Sequence, residues 1–182
     1  YTMHSSLDGI YAVYDFGGGT FDCSIVQTKG EEVEILGSDG VKALGGKDLD
    51  RRLYKLVQNK YQEETNKTLT SLQYSLNDAE NDKKNLSIKN TTEIEVIIDG
   101  KIYIVTREEF EASISTEIEK SLITFDNALD DAGLNVDNIM DVVLVGGSSR
   151  IPKIQKALEK KIGKKPKLWG NPDETVAKGA AI

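Results

Sequence analysis

The chain has 182 residues, 38% hydrophobic and 29% charged, a balance that fits one globular domain or two closely joined subdomains and excludes long disorder. With 3 prolines, 16 glycines and 7% aromatics it is neither collagen-like nor low in complexity. Its 23 basic against 30 acidic residues leave a net charge of −7, which opposes non-specific attraction to nucleic acid, and no apolar run approaches the length that crosses a bilayer.

The first third alternates in the manner of strands, over Ile10 to Phe16, Thr20 to Gln27 and Glu32 to Ser38, which predicts an antiparallel meander. After Gly45 and Gly46 the period changes: Leu49, Leu53, Leu56, Val57 and Tyr61 fall on one face of a long amphipathic helix. A second, very polar helix is expected from Leu69 to about Leu86, its narrow stripe carrying Leu72, Leu76, Ala79, Lys83 and Leu86. Asp99-Gly100 suits the positive φ angles of a two-residue hairpin between Thr91 to Ile98 and Lys101 to Val105. Thr106 and Glu109 have the spacing of a capping box, opening a helix through Leu129 that Gly133 ends.

Asp141 to Val145 is an apolar, β-branched run of the kind buried on both faces of a sheet. Gly146 to Ser149 turns it into a helix with Pro152 in the first turn. Lys167 to Trp169 is a short segment before Asn171-Pro172-Asp173-Glu174, which has the cap, proline and acids of a helix start. The chain stops within that apolar helix, which suggests a piece of something larger. A single cysteine, Cys23, excludes an internal disulfide, and a single histidine, His4, excludes a Cys/His metal cluster. Cys23 lies at an alternating strand position and reads as a small packing residue. A reducing, cytoplasmic compartment is expected.

Asp15-Phe16-Gly17-Gly18-Gly19-Thr20 is a hairpin tip whose bare backbone N–H groups can wrap an anion, glycine being expected there both for its dihedral angles and for close approach of phosphate oxygens. Three glycines alone weigh evenly between a tight turn and an anion cradle. The flanking groups shift the balance, since Asp15 can hold a hydrated Mg²⁺ and Thr20 can hydrogen-bond a terminal phosphate. Gly146-Gly147-Ser148 is a strand-to-helix turn that also favours anions, and Gly45-Gly46 on its own is no more than a helix start. Three such turns at strand ends weigh more than one, because ligands of open α/β sheets collect at one edge. Neither the P-loop nor the dinucleotide glycine pattern occurs.

Four segments in order, Ala12 to Asp22, Leu44 to Asp50, Val143 to Pro152 and Asn171 to Ala181, resemble the DnaK-type heat shock protein 70 chaperones. They span nearly the whole chain and resemble the second lobe of the nucleotide-binding domain. The fold so implied is α/β: an actin-like, ribonuclease H-like ATPase lobe with an inserted α+β subdomain. Residues 1–44 and 115–182 would form the nucleotide-binding core, and residues 45–114 the insert with its adenosine-binding helix and hairpin.

The resemblance implies a site for ATP or ADP with Mg²⁺. Gly17, Gly18, Gly19 and Thr20 match the loop that touches the β- and γ-phosphates, Asp15 an acid at the hydrated Mg²⁺, and Asp22 an acid near the attacking water. Gly45 and Gly46 match a pair near the nucleotide. Glu80, Lys83 and Ser87, which at i, i+3 and i+7 share one helical face, match residues that hold the adenosine moiety. Gly146, Gly147, Ser148 and Arg150 match the adenosine loop, with Arg150 stacking on the purine, and Asp173 matches an acid close by. Lys47 stands where the family usually has an acid and Lys84 where an arginine often flanks adenine, while the stretch from Asn66 to Asn77 is shorter than in typical members.

In the family, ATP sits between two lobes and hydrolysis needs groups from both. The resemblance therefore implies a parent ATPase chaperone, with little or no hydrolysis by this lobe alone. Implied partners are the first lobe, a nucleotide-exchange factor at the insert, a J-domain co-chaperone, and unfolded clients held by another domain. The alternatives are a lobe of an actin-like small-molecule kinase and a non-catalytic interaction module.

Overall fold

A computed structural model of the chain describes residues 8–88 and 90–168. In chain order its elements are strands β1 (Gly9–Phe16), β2 (Phe21–Lys29) and β3 (Glu32–Val41), helices α1 (Gly46–Thr65) and α2 (Leu76–Leu86), strands β4 (Glu93–Ile98) and β5 (Lys101–Thr106), helices α3 (Arg107–Ser113) and α4 (Ser115–Asp131), strand β6 (Asp141–Val145), helix α5 (Pro152–Ile162) and strand β7 (Lys167–Leu168). Gly46–Glu117 is one compact unit, and the segments that flank it form the other.

The flanking segments build a five-stranded sheet in the order β3-β2-β1-β6-β7. β1, β2 and β3 are the expected antiparallel meander, while β6 runs parallel to β1 and β7 parallel to β6. Alternation drives this layer: Ala12, Tyr14 and Phe16 of β1 and Phe21, Cys23 and Ile25 of β2 are buried. Phe16 and Phe21 are fully buried on either side of the glycine turn, and Phe21 packs on Tyr14 with ring centroids 4.5 Å apart, so both ends of the turn are anchored in the core. Val142 and Leu144 of β6 join this core with Phe125 and Ala128 of α4 and Ile154 and Leu158 of α5. The hydroxyl of Tyr14 donates to Ser121 on α4 at 2.5 Å, satisfying a phenol that burial holds well above its ordinary pKa. β3 runs three residues beyond the predicted end at Ser38, and its pairing with β2 shifts register between Ile25 and Val26.

In the other unit α1 buries Leu49, Leu53, Val57 and Tyr61, as its period predicts. The hairpin forms on its predicted turn, with Asp99 at φ 53° and Gly100 at φ 76°. Its inner face carries Ile94, Val96, Ile98, Tyr103 and Val105.

Two helices differ from expectation. The polar helix starts at Leu76 rather than Leu69, because Ser75 and Asp78 form a capping box, with Ser75 accepting from the Asp78 N–H and Asp78 accepting from the Ser75 N–H. Leu72 lies ahead of that start and is 98% exposed, so it takes no part in the buried stripe. The helix opened by the Thr106–Glu109 capping box is interrupted at Ile114. There Ser113 donates to the Phe110 carbonyl and Ser115 to the Ala112 carbonyl, competing with the main-chain ladder. Among the described residues no helix is long and apolar enough to cross a membrane.

Candidate functional site

The sheet register brings three glycine turns to one edge. β1 and β6 are parallel and pair Asp15 with Val145, so both strands end side by side and Gly146 follows next to Phe16. β3 pairs Val41 with Phe21, so its C-terminal end also reaches the edge where β1 turns into β2. The glycines record how close the approach is. A β-carbon at Gly45 would lie 2.5 Å from the carbonyl carbon of Gly19, and one at Gly146 would lie 2.5 Å from that of Phe16 and 2.7 Å from Asp15 Oδ1. Gly146 also sits at φ 82°, a conformation that side chains oppose. Ser148 completes the junction by donating to the Gly17 carbonyl at 3.3 Å.

The central turn is different. Gly17 N–H bonds back to the Thr20 carbonyl at 3.1 Å, and none of Gly17, Gly18 and Gly19 has a positive φ, which corrects the expectation that their dihedral angles demand glycine. A β-carbon at Gly18 or Gly19 would meet nothing within 4 Å. Neither packing nor backbone strain within the chain asks for glycine at these two positions. What a β-carbon would fill is open space beside exposed main-chain N–H groups, the shape of a cradle for an external anion.

Two carboxylates flank that cradle. Asp15 and Asp22 are direct partners across β1 and β2, an arrangement of like charges that is unfavourable without a cation. Asp15 is half-buried, and burial, followed by the charge of Asp22, raises its carboxyl pKa above the ordinary value. Asp22 is exposed and lies over Gly40, where a β-carbon would come within 2.5 Å of its Oδ1. Among the described residues no group of three or more acidic, Cys or His side chains could hold a metal by itself. A Mg²⁺ ion shared with substrate phosphates is usually bound through one or two carboxylates, and this pair supplies two. Beyond Gly146, a 3₁₀ turn over Gly147–Arg150 precedes α5, whose first residue is Pro152. Arg150 is exposed, and Gln155 donates to the carbonyls of Ser149 and Arg150, fixing the main chain beneath it.

The second group of predicted residues lies on α2 in the other unit. Glu80 pairs with Lys84 at 2.7 Å on the exposed face. Lys83 is instead buried, its ammonium 2.6 Å from Asp50 Oδ1 and donating at 3.1 Å to the carbonyl of Gly46. Burial raises the Asp50 carboxyl pKa above its ordinary value, while the hydrogen bond and charge of Lys83 draw it back. An exposed pair such as Glu80–Lys84 is worth about 0–1 kcal/mol, whereas removing one partner of a buried pair costs about 3–5 kcal/mol, so losing either Asp50 or Lys83 should cost more than losing the surface pair. Ser87 is the C-cap of α2, and its hydroxyl donates to the Lys83 carbonyl at 2.8 Å. Asp50 was not a predicted site residue. The signal was an acid on the apolar face of α1, between Leu49 and Leu53. Asp173 lies outside the described residues.

The model of the Hsp70 protein family matches residues 1–182, the whole length of the chain, so the chain belongs to the Hsp70 family, and its mixed α/β fold is that of the family's actin-like ATPase lobe.

Proposed function

We propose that this Hsp70-family chain supplies one side of a Mg²⁺–ATP/ADP site, as the second lobe of the nucleotide-binding domain of a DnaK-type chaperone. The family is an ATP-binding one. The observation that carries the reading is the open space at Gly18 and Gly19, on a turn held by Gly45 on one side and Gly146 on the other. On this reading the turn of Gly17, Gly18, Gly19 and Thr20 receives the β- and γ-phosphates through the Thr20 hydroxyl and main-chain N–H groups other than that of Gly17, which bonds the Thr20 carbonyl and shapes the turn. Asp15 would hold a hydrated Mg²⁺, whose charge would offset that of the phosphates, and Asp22 would orient the attacking water. Gly146, Gly147, Ser148 and Arg150 form the adenosine loop, with the Arg150 guanidinium on the purine face. By resemblance to the family, Gly45, Gly46, Glu80, Lys83, Ser87 and Asp173 are also assigned to the nucleotide.

Hydrolysis by the parent ATPase needs groups from a first lobe, so the reading assigns this chain weak nucleotide binding and little turnover. In the whole chaperone, closure of the lobes around nucleotide would bias a client-binding domain, with a J-domain partner and an exchange factor acting on the cycle in the cytoplasm. Support for an exchange-factor surface comes from the outer face of the hairpin, where the paired Ile97 and Ile102 are 65% and 57% exposed.

Calorimetric titration with Mg-ADP tests the nucleotide reading. Saturable binding that weakens in Arg150→Ala and Gly18→Val supports it. Binding that is unchanged in both variants, or absent at millimolar ligand, refutes it.

A further inference from the structure

The charge of the chain is unevenly placed. Of its 23 basic residues, eight lie between Arg150 and Lys167, where the only acid is Glu159, while the other 15 share the rest of the chain with 29 acids. A protein of net charge −7 thus carries one strongly basic segment, centred on α5 and the turn after it.

The structure separates the lysines that hold the fold from those that do not. Lys161 pairs with Asp126 of α4 at 2.7 Å, Lys167 pairs with the buried Asp141 at 2.5 Å, and Lys164 donates to the carbonyls of Ile139 and Met140 at 2.7 Å. Lys156, Lys160 and Lys165 are exposed and make no ion pair or hydrogen bond with the described residues. Helix energetics does not account for the whole face either. Lys160 lies in the last turn of α5, where the dipole favours a cation, but Lys153 lies in the first turn, where it opposes one, and Lys156 and Lys160 are like charges at i and i+4.

Position leads this face away from the glycine turns. α5 starts at their edge of the sheet and β7 returns beside β6, so Lys164 meets the main chain just ahead of β6, about 20 Å along that strand from Gly146. The chemistry of the face then narrows its partner. Ile154 and Leu158 are fully buried, so α5 has no apolar stripe left to lay in a bilayer or in a partner's groove. Residues 150–168 contain no aromatic, so the face lacks the stacking platform that holds single-stranded nucleic acid. A bilayer, a duplex or a long polyphosphate would extend past a helix of 11 residues, about 16 Å, and meet the acidic remainder, whereas a short flexible segment fits on it.

We infer that the exposed face of α5 and the turn after it, carrying Lys156, Lys160 and Lys165, is a docking surface for a short acidic peptide segment of a partner protein, held through its side-chain carboxylates. Docking there uses none of the residues assigned to the nucleotide.

Fluorescence anisotropy on the whole chain tests this with a labelled decapeptide of alternating Glu and Ser, beside the same peptide with Gln in place of Glu, inorganic polyphosphate of equal charge, and vesicles of phosphatidylserine and phosphatidylcholine. The acidic peptide is expected to bind at low salt and to weaken as salt rises, and the Gln peptide is expected not to bind. The triple variant Lys156→Gln/Lys160→Gln/Lys165→Gln should lower affinity by about tenfold, the scale of three exposed ion pairs lost together, while Lys55→Gln, an exposed lysine of the other unit, leaves it unchanged. No binding of the acidic peptide at low salt, equal affinity for the two peptides, or unchanged binding in the triple variant overturns the inference, as does tighter binding of polyphosphate or of vesicles through the same lysines.

A second measurement needs no variant. Acetylation of the wild-type chain by a water-soluble ester, read by peptide mass, should slow at Lys156, Lys160 and Lys165 when the acidic peptide is present and stay unchanged at Lys55. Slowing spread evenly over the exposed lysines, or confined to others, overturns the inference even where the substituted protein fails to fold.

Discussion

Gly45 rests directly on the backbone of Gly19, so close that a β-carbon on the first would lie 2.6 Å from the α-carbon of the second. The two residues are 26 positions apart in sequence, and the contact exists because β3 ends at the edge where the β1–β2 turn begins. Gly45 and Gly18 should accordingly respond in opposite ways to the same change. Gly45→Ala forces a main-chain shift and should destabilise by about 1–3 kcal/mol, the usual range for overpacking. Gly18→Ala meets open space without a positive φ and should leave stability unchanged or raise it by up to about 1 kcal/mol through the unfolded chain. Denaturant melts of the two variants, with Mg-ADP titrations alongside, check both halves: Gly18→Ala should lose affinity while keeping stability.

Cys23 should be inert in the folded chain. It is buried in β2, and burial, reinforced by the charge of Asp39, pushes its thiol pKa up to about 12, so almost no thiolate exists at neutral pH. Labelling by a water-soluble thiol reagent should follow global unfolding, with a rate that rises in denaturant in step with loss of structure. Rapid stoichiometric labelling of native protein would contradict the burial described here.

Much of this architecture is legible from the sequence because it rests on short-range patterns. Alternation marks β1 and β2, the Asp99-Gly100 pair marks the hairpin, and an apolar β-branched run marks β6. The meeting of Gly17, Gly45 and Gly146 is legible less directly, through the rule that parallel strands present their C-terminal ends at one edge. What escapes such patterns depends on competition among polar groups. Ser75 takes the cap of α2 six positions after Leu69, and Ser113 and Ser115 divert carbonyls of the helix that a continuous apolar period predicts. The partner of Lys83 escapes for a related reason. The helical period places Lys83 on the narrow stripe with Ala79 and Leu86, but its pairing with Asp50 from another helix has no periodic signature.

The capping box of α2 should matter out of proportion to its exposure. Ser75 accepts the Asp78 N–H at 3.2 Å, and the Asp78 carboxylate, held below its ordinary pKa first by the Ser75 hydroxyl, returns a contact to the Ser75 N–H at 2.7 Å. Replacing a serine cap by alanine costs about 1 kcal/mol. Ser75→Ala should therefore lower the denaturation midpoint modestly and loosen the first turn of the helix that carries Glu80 and Lys83. Hydrogen exchange should show faster amides in that turn, with protection in β1 and β2 unchanged.

The pair of Asp15 and Asp22 makes a prediction with a definite sign. Burial of Asp15, and then the facing charge of Asp22, raises the Asp15 pKa above its ordinary 3.8, so the ionised carboxylate costs stability in the folded chain. That cost is absent well below pH 3.8 and grows as the pH rises through the folded-state value. Asp15→Asn should thus raise the melting temperature at pH 7 by a few degrees relative to wild type, and the advantage should vanish near pH 3. The same substitution should remove the part of ADP-induced stabilisation that depends on Mg²⁺, because the cation is what relieves two facing carboxylates. Melting curves across pH 3–8, with ADP in the presence of Mg²⁺ and of a chelator, measure both effects. A wild-type chain as stable as Asp15→Asn at every pH would mean that the acid pair carries no strain for a cation to relieve.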